Sequence, residues 1–419
     1  MNDLPVMKKE EKMSVRDAAK RFTSIVAAAS LSLALLMPTG SAFADAGFRQ
    51  WVASFRGTAV RSGVSGAVYD RAFEGISDAD PVVLEKARYQ PEFTAPAWDY
   101  FDNRVHDQSV AVGKQMARKW KPWLDRIEAR YGVDRHILLA IWSMESNYGE
   151  ILKRDDVMRN VVRSLATLGY ADSRRSKFAR TQLIAALKIL QRGDIDKSHL
   201  SGSWAGAMGH TQFIPTSYQA YAVDMDGDGK RDIWNSIPDA LATAANLLRK
   251  NGWQAGKTWG YEVSLPDGKK FPAGSKSLSQ WQALGVTRAN GKPFNSAEKA
   301  TLKVPGGRGG PAFLMVKNFS VIKRYNNADK YAVAVGLLAD EIAGYGGLVQ
   351  DWKRPFTKLS FEERQELQQR LSQYGYYDGK FDGKIGEGSK AAIMAFQAKA
   401  GLTQDGHPSM EVLKWLRQN

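Results

Sequence analysis

The sequence predicts a mainly α protein of the α+β class: a helical body, a small β-rich insertion, and a separate three-helix C-terminal module. Three observations carry this prediction. Between about residues 113 and 252, apolar residues recur at three-to-four-residue spacing over 114–131, 134–147, 156–168, 176–191 and 238–250, and Gly132, Gly169, Gly193 and Gly252 follow as C-terminal caps. Between about 253 and 322 the period changes to short alternating runs at Tyr261–Leu265, Lys303–Val304 and Phe313–Val316, punctuated by Asp267-Gly268, Asn290-Gly291 and Gly306-Gly307. Beyond about 358 the chain starts a new pattern, with helices over 361–374, 389–400 and 412–416 around an Asp-Gly-rich turn segment.

Taken in order, residues 1–44 read as a secretory signal peptide. Six basic residues precede an uncharged apolar run from Phe22 to Met37, and Ala42-Phe43-Ala44 supplies a small-x-small cleavage pattern. The apolar run is short for a span of ~20 residues, so stable membrane insertion is not expected after cleavage. Removing this segment takes the formal net charge from +15 to +13. Residues 45–112 mix aromatic and charged positions and carry no recognisable chemistry; Tyr89–Pro96 looks extended. The insertion over 253–322 interrupts the helical body, which resumes with a helix from Ala328 to Ala343. Residues 351–357 read as a linker, and 358–419 as the module.

The chain of 419 residues is 43% hydrophobic and 25% charged, which is ordinary for a globular protein with a sizeable core. Its basic balance favours a polyanionic partner. The positive charge is spread along the chain, and no arginine-rich tract or nucleic-acid-binding signature is present, so nucleic acid is not the expected partner. With no cysteine, disulfides, thiolate metal sites, a cysteine nucleophile and lipid attachment through an N-terminal cysteine are all excluded. An exported product would then be soluble and periplasmic.

Chemistry is concentrated in a few stretches. In Asp134–Gly149 the residues Ile137, Leu138, Ile141 and Met144 define one helical face, with Asp134 placed to cap the start and Gly149 to end it. Glu145 falls along that apolar side. A carboxyl group partly withdrawn from water has a raised pKa and can hold a proton for donation, although a structural ion pair with an Arg or Lys would fit the same position. The second stretch is Gly202-Ser203-Trp204-Ala205-Gly206-Ala207-Met208-Gly209, followed by His210, Thr211, Gln212, Phe213, Ile214 and Pro215. Its small residues let backbone approach a ligand or a neighbouring helix closely. The third places Asp224, Asp226 and Asp228 at positions 1, 3 and 5 of a loop, glycine at 6, Lys230 at 7 and Asp232 at 9. This is the pattern of a calcium-binding EF-hand loop, with Asn235 where a bidentate glutamate normally completes the site.

Glu145-Ser-Asn-Tyr-Gly, the GSWAGAMG segment with Thr211–Pro215, and Arg324-Tyr325-Asn326 ahead of Tyr331–Val335 together resemble the lytic murein transglycosylase B family over roughly residues 45–350. The resemblance implies a lysozyme-like fold that cleaves the MurNAc–GlcNAc β-1,4 bond of peptidoglycan without water, leaving a 1,6-anhydro end. It implies Glu145 as acid and then base, with Ser203, Gln212, Tyr325, Asn326 and Tyr331 as substrate-binding residues, and it gives His210 no role. No cofactor is implied for the chemistry. The metal loop would bind Ca2+ structurally, with Asp239 of the next helix as a late carboxylate. The last segment resembles the common peptidoglycan-binding domain, so peptidoglycan glycan strands are the expected partner. A non-catalytic wall-binding scaffold and a hydrolytic muramidase are the alternatives.

Overall fold

In the computed structural model, residues 39–88, 96–294, 297–307 and 309–418 are described. The signal-peptide reading falls outside them except for 39–44, which begin the helix Thr39–Arg61, and the stretch expected to be extended falls outside them except for Pro96.

The helical body is built around the helix Arg135–Ser146. Asp134 caps it, accepting the His136 N–H at 2.7 Å. Eight of its twelve residues are buried, including Leu139, Ala140 and Trp142 as well as the predicted face of Ile137, Leu138, Ile141 and Met144. It is thus covered on most sides rather than lying on the surface. Its partners are Asp107–Lys119, Lys121–Tyr131, Ile237–Lys250 and, running antiparallel to it, Asp329–Ala343. The antiparallel sense follows from two contacts: Tyr331 meets Glu145, and Asp340 faces the charges of Asp134 and His136 at the other end.

Four expectations about helix ends change. Gly169, expected as a C-terminal cap, lies inside the helix Val161–Ala171, which ends at Asp172 instead. The single helix predicted over 114–131 is two, broken at Trp120, because Pro122 lacks an N–H and is suited to a first turn. The helix predicted from 156 starts at Val161, where Asn160 Oδ1 accepts the Arg163 N–H at 2.9 Å. The two residues before it, Arg159–Asn160, form β1, paired antiparallel with β2, Ser201–Gly202. The Asp134 helix ends at Ser146, three residues before Gly149, because Asn147 already adopts a left-handed conformation.

The insertion is an antiparallel sheet of β3 (Gly260–Ser264), β4 (Ser275–Ser277), β5 (Thr287–Arg288), β6 (Lys299–Lys303) and β7 (Ala312–Met315), in the order β4-β6-β7-β3-β5. β7 is buried throughout, and its alternation explains why. Ala312 and Leu314 join Val263, Leu278 and Trp281 in a small core of the insertion, while Phe313 and Met315 enter the core of the helical body.

The C-terminal helices Phe361–Gln373, Glu387–Ala400 and Met410–Gln418 enclose their own core of Leu367, Leu371, Ile393, Phe396, Leu413 and Leu416. This module is docked against residues 98–106 of the helical body. Lys390 Nζ lies 2.7 Å from Asp99, Asn103 exchanges hydrogen bonds with the backbone of Ile385, Arg364 donates to the Asp102 carbonyl, and the His106 ring stacks on Phe361 at 4.5 Å. The segment read as a linker is held as well. Trp352 stacks on Phe101 at 4.5 Å, and the Arg354 side chain, 3% exposed, pairs with Asp102 at 2.8 Å. Taking away one partner of a buried ion pair strands the other, at a cost of about 3–5 kcal/mol. Since Lys358 also reaches Asp102, at 3.3 Å, the expected loss for Arg354→Ala is about 3 kcal/mol. Denaturant unfolding and limited proteolysis check this: the variant should unfold earlier and be cut near residues 344–358.

Candidate active site

The end of the Arg135–Ser146 helix is shaped by a reversal of the chain. Asn147, Tyr148 and Gly149 have φ of 49°, 56° and 91°, consecutive left-handed residues that turn the chain directly after Glu145. The Ser146 hydroxyl donates to the His210 carbonyl at 2.6 Å, and Trp142 Nε1 donates to His210 Nδ1 at 3.2 Å. A Cβ on Gly149 would come within 2.4 Å of the His210 ring. His210 is therefore the wedge between the helix end and the glycine-rich segment, a structural part that sequence reasoning gave no role. Burial lowers its pKa to about 4, so it packs as a neutral ring.

Glu145 keeps part of its surface exposed while protein surrounds its carboxyl closely. The Tyr331 hydroxyl donates to its Oε1 at 2.6 Å, and no hydrogen bond reaches Oε2 among the described residues. Desolvation pushes the carboxyl up to about 7, against the lowering effects of the Tyr331 hydrogen bond and the positive charge of Arg104. The phenols of Tyr331 and Tyr325 are raised well above their ordinary range by burial and by the nearby Glu145 charge, so both stay protonated donors.

Tyr325 stacks parallel to Tyr331 with 6.5 Å between ring centres, packs edge-on against Phe213, and donates to the Thr211 carbonyl. This brings the late tyrosines and the Thr211–Pro215 segment to Glu145. Gln212, with φ of 48°, spends one amide N–H on the Gly209 carbonyl at 2.9 Å and leaves its oxygen without a partner among the described residues. Ser203 accepts the Ala207 N–H at 3.1 Å and so serves the turn. Asn326 is exposed, with no side-chain hydrogen bond among the described residues. Among the described residues neither Ser203 nor Asn326 makes a hydrogen bond to Glu145.

Sequence reasoning missed Tyr100 and Arg104. Arg104 donates to the Met144 carbonyl at 3.3 Å, lies 5.5 Å from the centre of the Tyr100 ring, and is the cation whose field reaches Glu145. The available signal was aromatic density, Trp98-Asp99-Tyr100-Phe101, followed by an arginine, without a periodicity to give it direction.

The acidic loop forms a cluster of carboxylates. Oxygens of Asp224, Asp226, Asp228 and Asp239 lie within 4.8 Å of one another. Asp239 is fully buried and accepts the N–H groups of Met225 at 2.7 Å and Asp232 at 2.8 Å; burial raises its pKa to about 6 even so. An all-oxygen donor set of this kind suits a hard cation such as Ca2+. Asp232 lies outside the cluster: its carboxylate accepts the N–H of Trp234 at 2.9 Å and the amide of Asn235 at 2.8 Å, closing a local turn instead. The cluster holds no side-chain ligand from Lys230, whose N–H goes to Asp228 at 2.8 Å.

A helical body that holds a half-buried acid with a raised pKa against a buried phenol fits a lysozyme-like acid–base catalyst of glycoside chemistry. The family model described as the transglycosylase SLT domain matches residues 47–340, and the chain belongs to this family. A second model, a putative peptidoglycan binding domain, matches residues 361–416. The chain is 31% identical over 262 residues to membrane-bound lytic murein transglycosylase B of Escherichia coli (strain K12), covering 61% of this chain and 67% of that protein. It is also similar to the crystal structure of SltB3 from Pseudomonas aeruginosa in complex with NAG-anhNAM-pentapeptide: 47% identity, 88% of this chain, 99% of that one, TM-score 0.70. The Escherichia coli lytic transglycosylase Slt35 in complex with calcium is similar as well: 26% identity, 71% of this chain, 93% of that one, TM-score 0.59.

Two outcomes follow from these geometries. Because the folded Glu145 carboxyl binds its proton more tightly than the unfolded one, it costs nothing below the ordinary glutamate range and a growing amount as pH rises through about 7. Glu145→Gln should therefore be more stable than the native protein at pH 8, by up to about 3 kcal/mol, with the difference gone at pH 4. Melting curves at the two pH values measure it. Added Ca2+ should raise the melting temperature, corresponding to about 2.7 kcal/mol at a hundredfold excess over Kd, and the gain should vanish in Asp226→Asn.

Proposed function

We propose that the protein is an exported peptidoglycan lytic transglycosylase in which Glu145 works alone, first as acid and then as base. The observation that carries this is the Glu145 carboxyl, held near pKa 7 between buried phenols, with Oε1 fixed by Tyr331 and no hydrogen bond on Oε2 among the described residues. Protonated Oε2 donates to the glycosidic oxygen as the C1–O bond breaks, releasing the GlcNAc hydroxyl. The substrate's own 2-acetamido group stabilises the cationic carbon. The resulting carboxylate takes the proton of the muramoyl 6-hydroxyl as its oxygen bonds to C1, and the 1,6-anhydro ring closes with Glu145 protonated again. A second catalytic carboxylate is unnecessary.

Tyr331 positions Glu145, Tyr325 buttresses Tyr331, and Gln212 offers its free amide oxygen to a sugar hydroxyl or acetamide N–H. Ser203 and Asn326 are carried as binding residues by motif match. Asp224, Asp226, Asp228 and Asp239 would hold structural Ca2+, with Lys230 and Asp232 contributing at most through the loop backbone. The division at 350 and 358 into catalytic domain, linker and wall-binding module belongs to the same reading. The docked module is supported as a wall anchor by the family that its residues match. Export through residues 1–44 to the periplasm completes the assignment; among the described residues no helix is long and apolar enough to cross a membrane.

Digestion of purified peptidoglycan with mass spectrometry of the fragments tests the whole. Anhydromuropeptides are the expected product, with kcat/KM falling as pH rises through about 7 and dropping by about 10³-fold or more in Glu145→Gln. Reducing-end products would establish a muramidase. No products at all would establish a scaffold.

A further inference from the structure

One carbonyl at the end of the Glu145 helix is satisfied from outside that helix. The N–H groups of Asn147, Tyr148 and Gly149 go to the carbonyls of Ser143, Trp142 and Ser146, at 2.9, 3.4 and 3.1 Å. The Met144 carbonyl, one residue before Glu145, is left to the guanidinium of Arg104 at 3.3 Å. A cation there also suits the negative end of the helix dipole.

Arg104 stands on a turn that follows the short helix Ala97–Asp102. Trp98 and Phe101 anchor the helix itself in the core of the body. Within the turn the Arg104 and Val105 N–H groups return to the Phe101 carbonyl, at 3.0 and 2.7 Å, which sets its shape. Its outer side is held by the C-terminal module. Buried Arg364 donates to the Asp102 carbonyl at 2.9 Å. Asn103 does more: its amide oxygen accepts the Ile385 N–H at 2.9 Å, and its amide nitrogen donates to the Ile385 carbonyl at 3.3 Å and to the Asp99 carbonyl at 3.0 Å. One side chain thus ties the short helix, the turn and the module together, next in sequence to the residue that caps the Glu145 helix.

Glu145 is faced by Tyr331 and Tyr325 from the late part of the catalytic domain, and by Tyr100 and Arg104 from this stretch. His210, beside the helix end, is neutral, and from the module Lys384 brings its charge to Arg104. Among the groups facing Glu145, Arg104 carries the positive charge that favours the carboxylate form. We propose that Asn103 is a positioning residue for the reaction: bonded to the docked module, it holds Arg104 on the Met144 carbonyl, so that the field at Glu145 depends on the seat of the module. The inference rests on Glu145 as the acid and base proposed above.

Titration of the Glu145 carboxyl by carbon-13 NMR on the full chain, with the signal assigned by its loss in Glu145→Gln, tests it without turnover. Asn103→Ala should move the midpoint to higher pH by about half a unit or more, because the cation that favours the charged form is set loose. The fall of kcat/KM on a soluble glycan fragment should move with it. Arg104→Gln should shift the midpoint in the same direction, and the double variant no further than Arg104→Gln alone, as expected of two residues acting through one charge. Lys384→Gln, which leaves Asn103 bonded, should move it less than Asn103→Ala does. An unmoved midpoint in Asn103→Ala would overturn the proposal. So would additive shifts in the double variant, or a shift in Lys384→Gln as large as that in Asn103→Ala, which would mean that the module acts through its own charge. Where Asn103→Ala does not fold, Asn103→Ser, whose hydroxyl is too short to bridge to Ile385, is read in the same way. Turnover surviving in Glu145→Gln would sink the catalytic assignment, and the titration would still report whether Asn103 sets the field.

Discussion

The hydrogen bond from Tyr331 to Glu145 joins the two central helices at the point where a carboxyl group is withdrawn from water. Burial alone would keep the proton fixed, and full exposure would release it. The phenol and the Arg104 charge pull the pKa down against desolvation, and the balance falls near neutrality, where one group can both give and take a proton. Nearby features keep that balance in place: the left-handed reversal at Asn147–Gly149, the His210 wedge that requires glycine at 149, and the parallel tyrosine rings. Each limits how far the carboxyl can move relative to its partners.

The helical body and its β insertion were legible because periodicity is a local property. Ile137, Leu138, Ile141 and Met144 predict a buried face and are buried. Leu139, Ala140 and Trp142 are buried as well, which a one-faced pattern cannot foretell, since it depends on how many neighbours arrive. Glu145 was visible as an acid on an apolar face, but Tyr100 and Arg104 were not: they come from the short helix Ala97–Asp102 and the turn after it, with no repeat to orient them, and their roles arise only from packing. Asp232 shows the limit of spacing as a guide. Loop spacing nominated it, yet nearby N–H groups of its own turn occupy its oxygens, while Asp239, seven residues later, points back into the loop.

Residues 98–106 serve two sides of the molecule. On one, Asp99, Asp102, Asn103 and His106 bind the C-terminal module; on the other, Arg104 reaches the end of the Glu145 helix. Anchor and catalyst therefore share a frame. The avidity expected of two tethered modules is replaced by a fixed geometry, and the strength of wall attachment then depends on whether that geometry suits the polymer.

The sequence separations of these contacts carry a consequence for biogenesis. Glu145 waits 186 residues for Tyr331, and Asn103 waits 282 for Ile385. Contacts so distant form late, after most of the chain has emerged. A nascent chain would carry the acid without its phenol and the Arg104 segment without its clasp. The acid would thus meet its phenol only once residue 331 has been made, a safeguard of synthesis order for an enzyme whose substrate encloses its own cell.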